Sequence, residues 1–79
     1  MVTVRLFGPA RELFGAPICT LQATALDAVR DELAVREGPR FAALLARSVL
    51  WVNGEPAGAD AALSADDEVA VLPPVSGGC

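Results

Sequence analysis

The chain has 79 residues with ten acids, six arginines and no lysine, histidine or tyrosine, giving a net charge of −4, and 53% of it is hydrophobic. This length makes one domain with a small core, and a mean hydropathy of +0.45 favours a folded core over disorder. Without histidine there is no Ser-His or Cys-His dyad and no imidazole metal site, and the acidic balance argues against a nucleic-acid partner.

The chain enters strand-like sequence at once, with no signal-peptide pattern. No apolar run approaches the roughly 20 residues of a spanning helix. Both features point to a cytoplasmic protein without a membrane partner. "VTVRLF" (2–7) alternates, which sends Val2, Val4 and Leu6 to the core and Thr3, Arg5 and Phe7 to the other face. "GPARELFG" (8–15) predicts a short helix, with Pro9 in its first turn and Gly15 at its exit. "PICTL" (17–21) predicts a second strand, with Cys19 as a small buried hydrophobe.

"TALDAVRDELAVREG" (24–38) predicts the main helix. Thr24 suits its N-cap and Asp27 an acidic capping box. Leu26, Val29 and Leu33 form its apolar stripe, with Arg30, Asp31 and Glu37 on the wet side. Gly38 and Pro39 end it. "RFAALLAR" (40–47) predicts a shorter helix facing inward through Phe41, Leu44 and Leu45. "VLWVNGE" (49–55) predicts a strand closed by an Asn-Gly turn, with a brief strand around 56–59 pairing back on it. "LSADDEVAVLPP" gives a polar turn at 64–67 and a last strand, Glu68–Leu72, stopped by Pro73.

One helix laid across a small mixed sheet of four or five strands buries both apolar faces with the fewest elements. The crossover lets the first and last strands pair in parallel, so the fold expected is α+β, the β-grasp arrangement. The last strand is then central. The parity places Phe7, Trp51, Ala70 and Leu72 on the open sheet face and Val69 and Val71 inward. That leaves an apolar patch larger than monomers usually show, unless the Phe41 helix or a loop covers it.

The chain divides into a body, residues 1–72, and a flexible tail, 73–79, ending "PPVSGGC". Pro73 and Pro74 favour an extended polyproline conformation. From Pro73 to Gly78 the tail reaches roughly 18–20 Å, enough to enter a partner's active site. Gly77 and Gly78 carry no side chain and pass a narrow channel. The reactive group on such a leash is a carboxylate, which acyl-adenylation by ATP would activate.

The stretches "FGPARELFG" (7–15), "VNGE" (52–55) and "DDEVAVLPPVSGG" (66–78) resemble, in order and spacing, the ubiquitin-like sulfur carriers, in particular the small subunits of molybdopterin synthase. The resemblance implies the β-grasp fold and a non-catalytic, sulfur-donating role that binds no cofactor of its own. An ATP-dependent activating enzyme, related to ubiquitin-activating enzymes, would adenylate the terminal glycine. A sulfurtransferase system would make the thiocarboxylate, and the large synthase subunit or another sulfur-accepting enzyme would take the sulfur, in molybdopterin biosynthesis to build the dithiolene. Mapped here, Gly78 bears the thiocarboxylate and Gly77 gives access. Pro73, Pro74 and Val75 line the tail's path, Phe7, Leu72 and Trp51 contact partners, and Arg11 and Glu12 match a loop motif with a structural role.

In the family the Gly-Gly pair is normally terminal, whereas here Cys79 comes after it and locks the Gly78 carboxyl in a peptide bond. Three readings stay open: a protease removes Cys79, Cys79 is an artificial addition, or its thiol attacks the Gly78 carbonyl. A free thiol with no basic neighbour is not unusually reactive, so the third reading ranks last. Three functions compete. They are a sulfur carrier for molybdopterin, or for cysteine, thiamine or another sulfur metabolite; a ubiquitin-like modifier of other proteins; and a binding module using its open sheet face.

Overall fold

The first strand forms where the alternation puts it. In the computed structural model, which describes residues 1–58 and 60–74, β1 (Val2–Leu6) buries Val2, Val4 and Leu6, each at most 2% exposed. It is followed by α1 (Gly8–Phe14), β2 (Ile18–Leu21), α2 (Leu26–Glu37), α3 (Pro39–Ala46), β3 (Val49–Val52), β4 (Glu55–Pro56) and β5 (Glu68–Leu72). The five strands form one sheet in the order β2-β1-β5-β3-β4. β1 and β5 pair in parallel, with Val4 opposite Val69 and Leu6 opposite Val71, and the other pairs are antiparallel. This is the β-grasp arrangement, with the last strand at its centre.

The core lies between one sheet face and the helices. Val69 and Val71 of β5 and Leu50 of β3 meet Leu26, Val29 and Leu33 of α2 and Phe41, Leu44 and Leu45 of α3. Phe41 also contacts Phe14 of α1, with ring centroids 6.1 Å apart at 51°, an inclined geometry aromatic pairs favour. The α3 helix therefore packs under the sheet and leaves the opposite face uncovered.

Two details differ from the expectation. Thr24 does not cap α2. Its helix begins at Leu26 behind Ala25, with no side-chain cap. Residues 61–63 run antiparallel beside 24–26 and supply backbone partners instead: Leu26 N–H donates to the Ala61 carbonyl, and Leu63 N–H donates to the Thr24 carbonyl, both at 2.9 Å. A neighbouring backbone thus satisfies the donor that a threonine hydroxyl otherwise would. The return strand is also shorter and earlier than expected, Glu55–Pro56 rather than 56–59. Pro56 sits opposite Trp51 on the sheet edge, where its missing N–H costs nothing. Ala59 lies outside the described residues.

Gly38 joins α2 to α3 with φ 94° and ψ −176°, a region essentially reserved for glycine. Its N–H donates to Ala34 and its carbonyl accepts from Ala42, so one residue ends the first helix and begins the second. A Cβ at this position would meet nothing within 4 Å, so the cost of adding one is conformational. Gly38→Ala is expected to destabilise the domain by about 1–3 kcal/mol, read as a lowered denaturant midpoint at unchanged m-value.

Candidate docking face and tail root

The pleat sends alternate residues of each strand away from the helices, and the register sorts them into rows. Thr20, Thr3 and Glu68 lie at one end of the outer face. Ile18, Arg5, Ala70, Trp51 and Pro56 cross the middle. Leu72 and Val49 face each other at the far end. The face therefore grades from polar to apolar along the strand direction, and β5 leaves the sheet at the apolar end. Arg5 and Glu68 form an ion pair across β1 and β5, on the polar side of this row system.

Each residue expected on this face is there. Leu72, Trp51 and Ala70 are half-buried. Phe7 is 45% exposed and lies one residue beyond β1, where continuation of the parallel register sets it beside Leu72. Its backbone is extended, and its carbonyl accepts the first hydrogen bonds of α1 from Ala10 and Arg11. Two apolar residues of the same face were not singled out in the sequence: Val49, 53% exposed, and Ile18, 44% exposed. Val49 shares the parity of Trp51, so the signal was available. Ile18 needed the pairing with Arg5, which only the fold supplies.

Pro73 and Pro74 come directly after Leu72, half-buried and exposed respectively. Beside this root the link between α3 and β3 is held by Ser48, whose buried hydroxyl donates to the Leu44 carbonyl at 2.7 Å. Val75, Gly77, Gly78 and Cys79 lie outside the described residues.

Cys19 is half-buried against the core rather than fully enclosed. Its neighbours in β2 are edge residues, so one side of the thiol keeps contact with solvent. Burial pushes the thiol's pKa up, Arg36 works against that and Glu37 adds to it. A thiol so placed is a poor nucleophile at neutral pH. One concavity lies away from the tail root and is lined by Met1, Val2, Leu63 and alanines, with Gln22 and Thr24 as its polar side chains.

At the opposite end of the sheet the Asn53-Gly54 turn, with φ of 51° and 84°, is tied to the start of β5. Asn53 Nδ2 donates to Asp67 Oδ1 at 3.0 Å, and Asn53 Oδ1 accepts from Glu68 N–H at 2.9 Å. Ser64 N–H donates to Asp67 Oδ2 at 2.8 Å. These donors favour the ionised acid, Ser64 first and Asn53 second, and hold the Asp67 carboxyl below the usual carboxylate range. A carboxyl depressed in the folded state adds stability that is complete above its unfolded pKa, about 4, and is lost as pH falls through the lower folded value. Asp67→Asn is therefore expected to lower Tm at pH 7, with the gap from wild type closing as the pH drops below about 4. A gap of constant size across that range would mean the carboxylate's charge plays no part.

The sequence matches the ThiS family over residues 4–78. No curated protein matches it. Among solved structures, the small archaeal modifier protein 1 of Methanosarcina acetivorans is 26% identical, with 96% of this chain and 94% of that one covered at a TM-score of 0.87. A chain in the complex of subunits 1 and 2 of the molybdopterin-converting factor of Helicobacter pylori is also 26% identical, covered 96% on both sides at a TM-score of 0.72. The Amycolatopsis orientalis BexX/CysO complex contains a chain 22% identical, covering 98% of this chain and 99% of that one at a TM-score of 0.80, a likeness of fold. Among the described residues no helix is long and apolar enough to cross a membrane. From the parallel β1–β5 pair to the strand end that launches the tail, the matched span takes in every element of the sheet, and the chain belongs to the ThiS family of ubiquitin-like sulfur carriers.

Proposed function

We propose that the chain carries sulfur as a thiocarboxylate on Gly78, after removal of Cys79, and donates it as the small subunit of a molybdopterin synthase. The carboxylate oxygen of Gly78 attacks ATP held by an activating enzyme, pyrophosphate leaves, and a sulfur nucleophile then displaces AMP. A protease supplies the free glycine terminus. Gly77 keeps the path to the reacting carbon narrow, Pro73, Pro74 and Val75 hold the tail extended, and Phe7, Trp51 and Leu72 seat the body on each partner.

The observation that carries this reading is the placement of the tail root. The central strand ends at Leu72, among the apolar residues of an uncovered face, so docking that face fixes where the tail points. A large open apolar face is costly unless a partner covers it. The "PPVSGG" ending and the "ARELFG" loop favour molybdopterin among the sulfur pathways, as does the likeness to a chain of the molybdopterin-converting factor complex.

A second reading, attachment of the same carboxylate to lysines of other proteins, is favoured by the likeness to a small archaeal modifier protein. The chain's own lack of lysine excludes chains built through its side chains. Anaerobic intact-mass measurement separates the two. The form ending at Gly78 is incubated with ATP, the activating enzyme and a sulfur source. Replacement of one oxygen by sulfur at Gly78 supports the carrier, covalent adducts on other proteins support the modifier, and an unchanged mass overturns both.

A further inference from the structure

The two edges of the sheet are finished differently. At one, β4 is two residues long. The Ala57 N–H donates to the Leu50 carbonyl, so the residue whose backbone turns outward is Pro56, which has no N–H to offer, with the charged Glu55 beside it. A short strand bearing proline and a charge is how native sheets keep an edge from pairing. At the other edge β2 carries neither. Leu6 N–H donates to the Pro17 carbonyl at 2.9 Å. Alternation then sends the backbone groups of Cys19 and Leu21 to β1 and those of Ile18 and Thr20 outward. Both residues are exposed, and no hydrogen bond from elsewhere among the described residues takes their N–H or carbonyl groups.

We propose that the β2 edge is a homodimer interface, on which a second copy of this chain pairs its own β2 antiparallel about a two-fold axis through Cys19. A two-fold contact needs a surface complementary to itself, and this strand supplies one. With Ile18 opposite Thr20 of the second copy, each residue both donates and accepts. The two symmetry-related pairs make four hydrogen bonds, which satisfy every outward backbone group of the strand. An axis centred on Thr20 would instead set Ile18 opposite Gln22, beyond the strand. Directly opposite residues point to the same face, so the two helix layers lie on one side of the doubled sheet. The two outer faces, with their tail roots, stay open on the other side. The inference therefore does not depend on what the tail carries.

Cys19 reports the register. On the axis it meets its own copy as a non-hydrogen-bonded pair, with Cα atoms about 4.5 Å apart, inside the range of about 4.4–6.8 Å that a disulfide spans. The charges around it do not oppose the contact. Arg36 and Glu37, in the last turn of α2, are the charged groups that act on this thiol, and the axis brings each copy's pair towards the other's, cation to anion. Arg36 also pairs with Glu32 on its own helix, and Arg5, across from Ile18 on β1, is paired with Glu68. What opposes association is the net charge of −4 on each copy. The dimer should therefore be weak at low ionic strength and tighten as salt screens the bodies.

The test uses the chain ending at Gly78, whose only thiol is Cys19. Sedimentation in high salt, at concentrations rising to millimolar, is expected to carry the mass from one chain towards two. Thr20→Pro removes an outward donor that the monomer does not use and should hold the chain monomeric. Thr20→Lys, which sets a charge on the edge, is milder. Diamide then takes two electrons and two protons from the facing thiols and is reduced to the hydrazine as the S–S bond forms. Wild type should give the Cys19–Cys19 dimer at least about tenfold faster than Thr20→Pro, because pairing holds the sulfurs together. Thermal melts confirm folding, and Thr20→Lys decides the matter if the proline variant unfolds. A wild type that stays monomeric, or cross-linking equally fast in wild type and both variants, overturns the dimer. So does protection of Cys19 from alkylation that appears only with the activating enzyme, which gives the edge to that partner. Protection that is lost when the chain is cut after Pro74 gives the edge to the tail and overturns the dimer as well.

Discussion

A chain shortened to end at Gly77 should accept no sulfur yet melt where the full chain melts. Each residue advances an extended tail by about 3.3–3.6 Å, so losing Gly78 withdraws the carboxylate by that distance from the point where ATP is attacked. Misplacement of a reacting atom by about 1 Å already costs on the order of 100-fold, and the loss here should exceed that. The fold should not notice. The last fully buried core residue is Val71, Leu72 is half-buried, and the proline pair begins beyond the final ladder partner, Leu72 opposite Val49. Intact mass after charging and a calorimetric Tm check the two halves: no thiocarboxylate, and a shift under about 1 °C, against the roughly 4–8 °C per kcal/mol for domains of this size. Sulfur loading that survives the truncation would place the reactive carboxyl elsewhere.

The strands and the break between the two longer helices were legible because the signals that announce them are local. Val2, Val4 and Leu6 alternate cleanly with polar residues, so the strand and its inward face emerge from period alone. Glu68–Leu72 is bounded by a polar turn and by Pro73, and its two inward valines fix its phase. Gly38-Pro39 is a break that no other pair of residues marks so strongly. The features that escaped depend on residues distant in sequence. Thr24 has the right chemistry for a cap, yet the 61–63 segment supplies the bonds instead. The clasp of Asn53 on Asp67 joins residues 14 apart, and the Asn-Gly turn signal carries no hint of it.

The strand that anchors the tail offers the sharpest separation of fold from function, because Val71 and Leu72 are neighbours in sequence and face opposite ways. Val71 is fully buried between Leu6 and Leu50 on the helix side of the sheet. An aspartate there has no partner and no water, and such substitutions cost about 4–5 kcal/mol or more, against a total stability near 5–10 kcal/mol for a small domain. Val71→Asp is expected to leave little folded protein at 37 °C. Leu72 lies on the outer face, where an aspartate reaches solvent beside Val49, so Leu72→Asp should cost about 1 kcal/mol of stability. Its effect on docking should be much larger. Leu72 is half-buried at the apolar end of the outer face, where the tail leaves the sheet, and a charge introduced into a contact that becomes desolvated there should cost about 2 kcal/mol or more, which is roughly a 30-fold weaker Kd for the activating enzyme. Thermal melts and titration calorimetry on the two variants decide the point. If Leu72→Asp binds as tightly as wild type, the outer face is not the surface partners cover, and the tail must be delivered from a body held in some other way.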